Sequence, residues 1–182
     1  MLNEIERVLV SQEEIDKITS RLAGQIMRDY ANSTKPLILI IILKGSMPFA
    51  SDLMKKLDMP LELEFMKVSS YGAGTKNSGE IKLHLDLARE NLEKYDLLVI
   101  EDIVDSGRTL SRLTQLLKNR NANSVRTCTL LDKPSRREVP FTPDYCGQVI
   151  EDEFVVGYGL DYNEKYRNLP YVGILKRSVY SN

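Results

Sequence analysis

The stretch from Leu97 to Thr109, Leu-Leu-Val-Ile-Glu-Asp-Ile-Val-Asp-Ser-Gly-Arg-Thr, constrains this chain more than any other. Its opening run, Leu97-Leu98-Val99-Ile100, is apolar and uncharged, as expected of a strand covered on both faces. Glu101 and Asp102 are expected to follow that strand directly. Asp105 then opens a turn of small residues, Asp105-Ser106-Gly107-Arg108-Thr109. Behind the turn, Leu110, Leu113, Leu116 and Leu117 share one face of a helical pattern. Strand, paired carboxylates, small-residue turn and helix, in that order, describe a site for a phosphate ester. A helix start leaves several N–H groups without intrahelical partners and carries the positive end of the macrodipole. Ser106, Gly107 and Thr109 let an anion approach those amides, and Gly107 tolerates φ > 0. Arg108 adds a charge-assisted donor. Glu101 and Asp102 can hold a ribose diol or a hard cation such as Mg²⁺. Asp105 stands between the two regions, where a proton acceptor is useful.

The rest of the chain alternates strand and helix patterns, and its 182 residues suffice for one α/β domain with a substantial core and a small appendage. Ser11 and Glu14 form a capping-box signature, and Ile15, Ile18, Leu22 and Ile26 extend a helix to about Tyr30. Leu37 to Leu43 reads as a strand buried on both faces. It gives way at Lys44-Gly45-Ser46 to a helix with Pro48 in its first turn. Leu61 to Phe65 and Ile81 to Leu87 alternate with period two and read as paired, half-exposed strands, with the only histidine, His84, on a polar phase. The glycine-rich segment between them, 69–80, is too long for a tight hairpin. Val125 to Leu131 is a further core strand ended by Asp132-Lys133-Pro134, and Arg136 and Arg137 read as a solvated basic turn. Pro140 to Gly147 is expected to be irregular. Phe154 to Gly159 and Tyr171 to Leu175 complete the strands, with Lys176 and Arg177 in a tail. Lys44, Glu101-Asp102, Lys133 and Asp161 each follow a different expected strand. In open α/β sheets, ligands bind beyond those carboxyl ends.

The segment Val99 to Thr109 resembles the phosphoribosyl pyrophosphate (PRPP) signature of the type I phosphoribosyltransferases. It is unlike the Walker-type phosphate loop, which needs Gly-Lys-Ser/Thr after a longer glycine-bearing loop. Phe-Val-Val-Gly-Tyr followed by Asp-Tyr-Asn-Glu and Arg, at 154–167, resembles the purine-binding segment of the same family. The resemblance spans Leu37 to Leu175. It implies the type I phosphoribosyltransferase fold, a mainly parallel central sheet flanked by helices with a small hood. It further implies one domain over 1–182, with a lid at about 69–80 and a base-binding segment at about 133–175.

The activity so implied is purine salvage: Mg²⁺-dependent transfer of 5-phosphoribosyl from PRPP to N9 of hypoxanthine or guanine, giving IMP or GMP and pyrophosphate. By residue, the resemblance implies Asp105 as the base that takes the purine proton. Glu101, Asp102, Asp105, Ser106, Gly107, Arg108 and Thr109 would bind the 5-phosphate and ribose. Lys44, Gly45 and Arg167 would bind pyrophosphate, with a peptide before Lys44 that can be cis. Ser70 and Tyr71 belong to the lid. Lys133, Phe154, Val155 and Asp161 contact the purine, and Glu101, Asp102 and Asp161 the Mg²⁺.

Charge and cysteine content narrow the alternatives. Twenty-five basic against 26 acidic residues give a formal net charge of -1, which offers no broad attraction to nucleic acid or to an anionic membrane. A regulator on the same fold that binds nucleic acid would need a basic face. The only cysteines, Cys128 and Cys146, have neither metal-site nor redox spacing, and the expectation is reduced thiols in a cytoplasmic protein. Glu4 and Glu6 interrupt the apolar residues near Met1, so no cleavable signal pattern is expected. No run is long enough to span a bilayer. The partners that the resemblance implies are the two small substrates and copies of the chain itself, as a homodimer or homotetramer.

Overall fold

The computed structural model describes residues 2–70 and 81–181. In chain order its elements are β1 (Ile5–Val10), α1 (Gln12–Tyr30), β2 (Leu37–Ile42), α2 (Met47–Met54), β3 (Leu61–Ser70), β4 (Ile81–Leu85), β5 (Asp96–Val104), α3 (Arg108–Asn119), β6 (Ser124–Asp132), β7 (Tyr145–Val149), β8 (Val155–Val156), β9 (Val172–Leu175) and α4 (Arg177–Tyr180). A six-stranded sheet in the order β4-β3-β2-β5-β6-β7 forms the body, parallel throughout except for β4. A second sheet, β1-β9-β8, is antiparallel and forms the hood.

The continuous apolar runs are explained by where alternate side chains go. In β2, Leu37, Leu39 and Ile41 pack with α1, α2 and the hood, while Ile38, Ile40 and Ile42 pack with α3 on the other face. In β5, Leu98 and Ile100 join the first cluster, and Leu97 and Val99 the second. A strand with two buried faces has no polar phase to display. The α1 helix begins as its sequence predicts: Ser11 Oγ accepts from the Glu14 amide at 3.2 Å, and Glu14 Oε2 accepts from the Ser11 amide at 2.7 Å.

Three expectations need correction, and one element, β1, answers to none. Residues 61–65 of β3 run parallel to β2, and it is the later half, Lys67 to Ser70, that pairs with β4. The segment expected to be irregular contains β7, an edge strand parallel to β6. Gly147 fits there because a Cβ would collide with the Leu130 carbonyl and approach Ile18. The hood strand β1 carries no strong alternation and gains its place only by pairing with β9. Arg177 lies in the short helix α4 rather than in an irregular tail.

Asp96 fixes the start of the central strand. It is 4% exposed and accepts hydrogen bonds from Ser33 Oγ at 2.5 Å, Asn123 Nδ2 at 2.7 Å and Ser124 Oγ at 2.5 Å. Burial pushes its carboxyl up, but the donors from Ser124, Ser33 and Asn123 outweigh it and hold the carboxyl below the usual range. A depressed folded-state value contributes stability that is present above the unfolded value and lost as pH falls through the folded one. Asp96→Asn should therefore cost about 1–3 kcal/mol at neutral pH. Urea unfolding at a series of pH values should show that cost shrinking in acid.

Candidate active site

The site grows from a change of direction in the sheet. After β2 the chain passes through α2 to β3 on one side, and after β5 it passes through α3 to β6 on the other. Neighbouring parallel strands whose connections diverge leave a crevice between their carboxyl ends. The β2–β5 register ends at Ile41 opposite Ile100, and β5 then runs on beside β6 alone. Glu101 and Asp102 consequently lie within β5 rather than after it, because the ladder with β6 continues through Glu101 opposite Thr129 to Val104 opposite Asp132. Asp105 is the first residue past the strand.

Three segments meet in the crevice at van der Waals distance. The Leu43–Lys44 peptide is cis. At Gly45, a Cβ would overlap Asp102 Oδ2 and sit 3.5 Å from the Gly159 carbonyl oxygen. Gly159 has φ +99°, and a Cβ there would collide with the Gly45 carbonyl. The loop after β2, the end of β5 and the turn after β8 thus pack on one another through backbone and one carboxylate.

The candidate anion site is the turn between β5 and α3. Gly107 caps α3 with φ +78°, and the Arg108 amide meets Ser106 Oγ at 3.3 Å. Glu101, Asp102, Asp105, Ser106, Gly107 and Thr109 line a hollow of about 200 Å³ here. The Arg108 guanidinium is paired with Glu138 at 2.5 Å, and Arg108 is not on the wall of the hollow.

Glu101 and Asp102 are half-buried neighbours. Burial and the adjacent Asp102 carboxylate push the Glu101 carboxyl well above its usual range. Burial raises Asp102 as well, opposed by a hydrogen bond with Glu101, by the Ile103 amide at 2.7 Å and by the charge of Arg167. Shared burial thus disfavours the charged form of both carboxyls, most strongly at Glu101. Asp161 stands apart from it, ion-paired to Arg167 at 2.8 Å. Among the described residues no group of three or more His, Cys, Asp or Glu side chains is arranged as a metal cage. Two crowded carboxyls beside an anion hollow still suit Mg²⁺, which is commonly held by one or two carboxylates with water and substrate phosphates.

A larger cavity, about 620 Å³, adjoins the hollow, and Ile103 and Asp105 line both. Lys133, Phe154, Val155, Leu160 and Asp161 are on its wall. The buried Lys133 side chain donates to the Glu153 carbonyl at 2.5 Å, and the Lys133 amide ties the end of β6 to the Val104 carbonyl at 2.9 Å. Phe154 is 36% exposed, edge-on to Tyr162 and stacked with Tyr180 of α4 at 4.6 Å between centroids. Asp105 is exposed and meets Arg136 at 3.5 Å. A still larger cavity, about 820 Å³, opens beside Asp52 and Tyr158, and none of the site residues implied by the resemblance lines it.

Lys44 and Arg167 converge from opposite ends of the chain on Glu164, at 2.8 and 3.2 Å, and Arg167 also donates to the Gly159 carbonyl at 2.8 Å. Ser70 ends β3, whereas Tyr71 and the remainder of the expected lid fall outside the described residues.

The expectation of a solvated basic turn fails at Arg137. Its side chain is only 14% exposed, donates to the Asp105 carbonyl at 2.7 Å and ion-pairs with the buried carboxylate of Asp132. A Cβ on Gly107 would lie 2.8 Å from Arg137 Cδ, and the next amide, Glu138, donates to the Ser106 carbonyl at 2.9 Å. Arg137 is the floor of the anion turn. The neighbouring Arg136, from the same basic pair, is exposed as expected.

Residues 9–163 match the family model of the phosphoribosyl transferase domain. The chain is 50% identical to the hypoxanthine-guanine phosphoribosyltransferase of Staphylococcus aureus, with 100% of each chain covered. It is 52% identical to the bifunctional protein TilS/HprT of Listeria monocytogenes, covering 100% of this chain but 28% of that protein's length. Among solved structures, a hypoxanthine phosphoribosyltransferase from S. aureus superposes with a TM-score of 0.94 at 49% identity, covering 100% of this chain and 97% of that one.

Removing Arg137 would leave the Asp132 carboxylate buried and unpaired, at a cost of about 3–5 kcal/mol. Arg137→Ala should lower the free energy of unfolding by that order. Adding Asp132→Asn should recover most of the loss, as read by denaturant titration of the single and double variants.

Proposed function

The chain belongs to the phosphoribosyl transferase family, and from that premise we propose that it carries out purine salvage, with PRPP as donor and hypoxanthine or guanine as acceptor. Its S. aureus relative, matched over the full length of both chains, is named a hypoxanthine-guanine phosphoribosyltransferase. One observation supports it above the others: Asp105, Lys133 and Phe154 line a single cavity that shares a wall with the anion hollow at the start of α3.

The reaction forms a bond from purine N9 to C1 of the ribose and breaks the bond from C1 to pyrophosphate, whose oxygen departs with the electron pair. Amides of Ser106 to Thr109 anchor the 5-phosphate, so binding energy far from the reacting carbon positions it. Glu101 and Asp102 face the ribose hydroxyls. Asp105, on the wall common to both cavities, accepts the N7 proton as N9 attacks. Lys44 and Arg167 take up the negative charge that grows on pyrophosphate. When bound with the donor, Mg²⁺ would neutralise diphosphate charge; Glu101 and Asp102 would hold it as a pair, with Asp161 bordering its site from the Arg167 side.

Phe154 supplies the stacking face for the base and Val155 reads its edge through the backbone. Lys133 has three donors and spends one on Glu153, leaving others for the six-position oxygen. Ser70 and Tyr71 would close over this arrangement, excluding water during transfer. The enzyme acts in the cytoplasm as a homodimer or homotetramer of one-domain chains, and needs no nucleic acid or membrane. No helix among the described residues is long and apolar enough to cross one.

The direct test is to incubate the chain with Mg²⁺, PRPP and each base, and to follow nucleotide and pyrophosphate. Hypoxanthine and guanine should exceed adenine in kcat/KM by about 10⁴-fold, because adenine leaves the buried Lys133 donor unpaired. Adenine turnover at a comparable rate would remove Lys133 from its role. Asp105→Asn should bind GMP normally and lose about 10²–10⁴-fold in kcat, and an unchanged kcat would show that another group takes the proton.

A further inference from the structure

The residues taken to bind pyrophosphate are already holding an anion of the protein's own. Lys44 Nζ lies 2.8 Å from Glu164 Oε2, and Arg167 Nη2 lies 3.2 Å from Glu164 Oε1. Each carboxylate oxygen thus serves one cation, and the cations come from segments far apart in sequence. We propose that Glu164 is an intramolecular stand-in for pyrophosphate, occupying Lys44 and Arg167 until the diphosphate displaces it and returning as the product leaves. The inference rests on the assignment of Lys44 and Arg167 made above.

The backbone holds the carboxylate in place. Asn163 and Glu164 are both in the left-handed region, with φ +50° and +62°, which few non-glycine residues adopt. The Glu164 amide donates to Asp161 Oδ2 at 2.9 Å, and the other oxygen of Asp161 is ion-paired to Arg167 at 2.8 Å. Asp161 therefore presents Glu164 and orients the arginine at once. The cations in turn hold the Glu164 carboxyl below its usual range, Lys44 contributing most.

Displacement is feasible because the contact is exposed. The side chains of Lys44 and Glu164 are 53% and 64% accessible, and solvent-exposed ion pairs are weak and screened by salt. A diphosphate brings more negative charge and more oxygens than one carboxylate, so it wins the cations when bound. The carboxylate then competes with product as well as with donor. Its presence weakens the hold on pyrophosphate, which must leave in every turnover.

The sign of the effect separates this role from a merely structural one. Loss of a structural contact weakens ligand binding, whereas loss of a competitor strengthens it. Calorimetric titration of Mg²⁺-pyrophosphate into wild type and Glu164→Gln should give about 2–5-fold tighter binding for the variant at low salt. The gain should shrink at high ionic strength. KM for PRPP should fall by a similar factor while KM for guanine stays put. Glu164→Asp keeps the charge on a shorter stem and should fall between the two. Pyrophosphate binding by Glu164→Gln that is equal to wild type, or weaker, overturns the proposal. Indifference of wild-type pyrophosphate binding to Lys44→Gln overturns it too, by removing the premise about Lys44. A wild type that turns over no purine defeats the proposed function instead, and the pyrophosphate titration still reports on Glu164.

Discussion

Everything at this site depends on β5 outrunning β2. Two parallel strands side by side satisfy one another's backbone groups, and the partnership ends at Ile41 and Ile100. From there β5 keeps β6 on one flank and has an open flank on the other. The open flank admits Gly45 and Gly159, and it faces Asp102. Had the two strands ended together, Glu101 and Asp102 would lie in loop and their positions would be set by local conformation alone. Held in the ladder as far as Val104, they are as fixed as the core beneath them, and Asp105 starts its turn from a rigid point.

The cations around the site share a second property. Arg167 is paired with Asp161 and Glu164, Lys44 with Glu164, Arg108 with Glu138, Arg136 with Asp105 and Asp152, and Arg137 with Asp132. A near-neutral chain can thus present many positive groups without a strong positive field. On the reading proposed above, an anion entering such a site would exchange with one already there, with little charge desolvated for the first time. The exposed pairs are the ones that can exchange. The buried pair of Arg137 and Asp132 is architectural.

Much of this could be read from the residues in order. Apolar runs without polar phase announced β2 and β5, and the turn from Asp105 to Thr109 announced the start of α3. The capping box at Ser11 placed the first helix. Features that depend on distant partners could not be read in the same way. In Ser135-Arg136-Arg137-Glu138 the two arginines are locally equivalent, and only the position of Asp132 and of the Asp105 carbonyl makes one a buried brace and leaves the other in solvent. The extent of β5 past its apolar run is set by β6, whose own residues give no warning that two acids will be paired beside them. Glu164 lies in a segment whose family likeness was plain, yet its contact with Lys44 spans most of the chain. The same holds for Tyr180, which reaches Phe154 from a helix too short to leave a periodic signal.

The contact of Gly45 with Gly159 has a consequence for how ligands speak to one another. The first glycine belongs to the loop that carries Lys44, and the second to the turn that joins Val155 and Asp161. Neither carbonyl can shift without the other backbone yielding, since there is no side chain between them to absorb the motion. On the proposed assignment, occupancy of the purine side and occupancy of the leaving-group side would for that reason be thermodynamically linked. Whatever a base does to the affinity for diphosphate, diphosphate must do by the same factor to the affinity for the base.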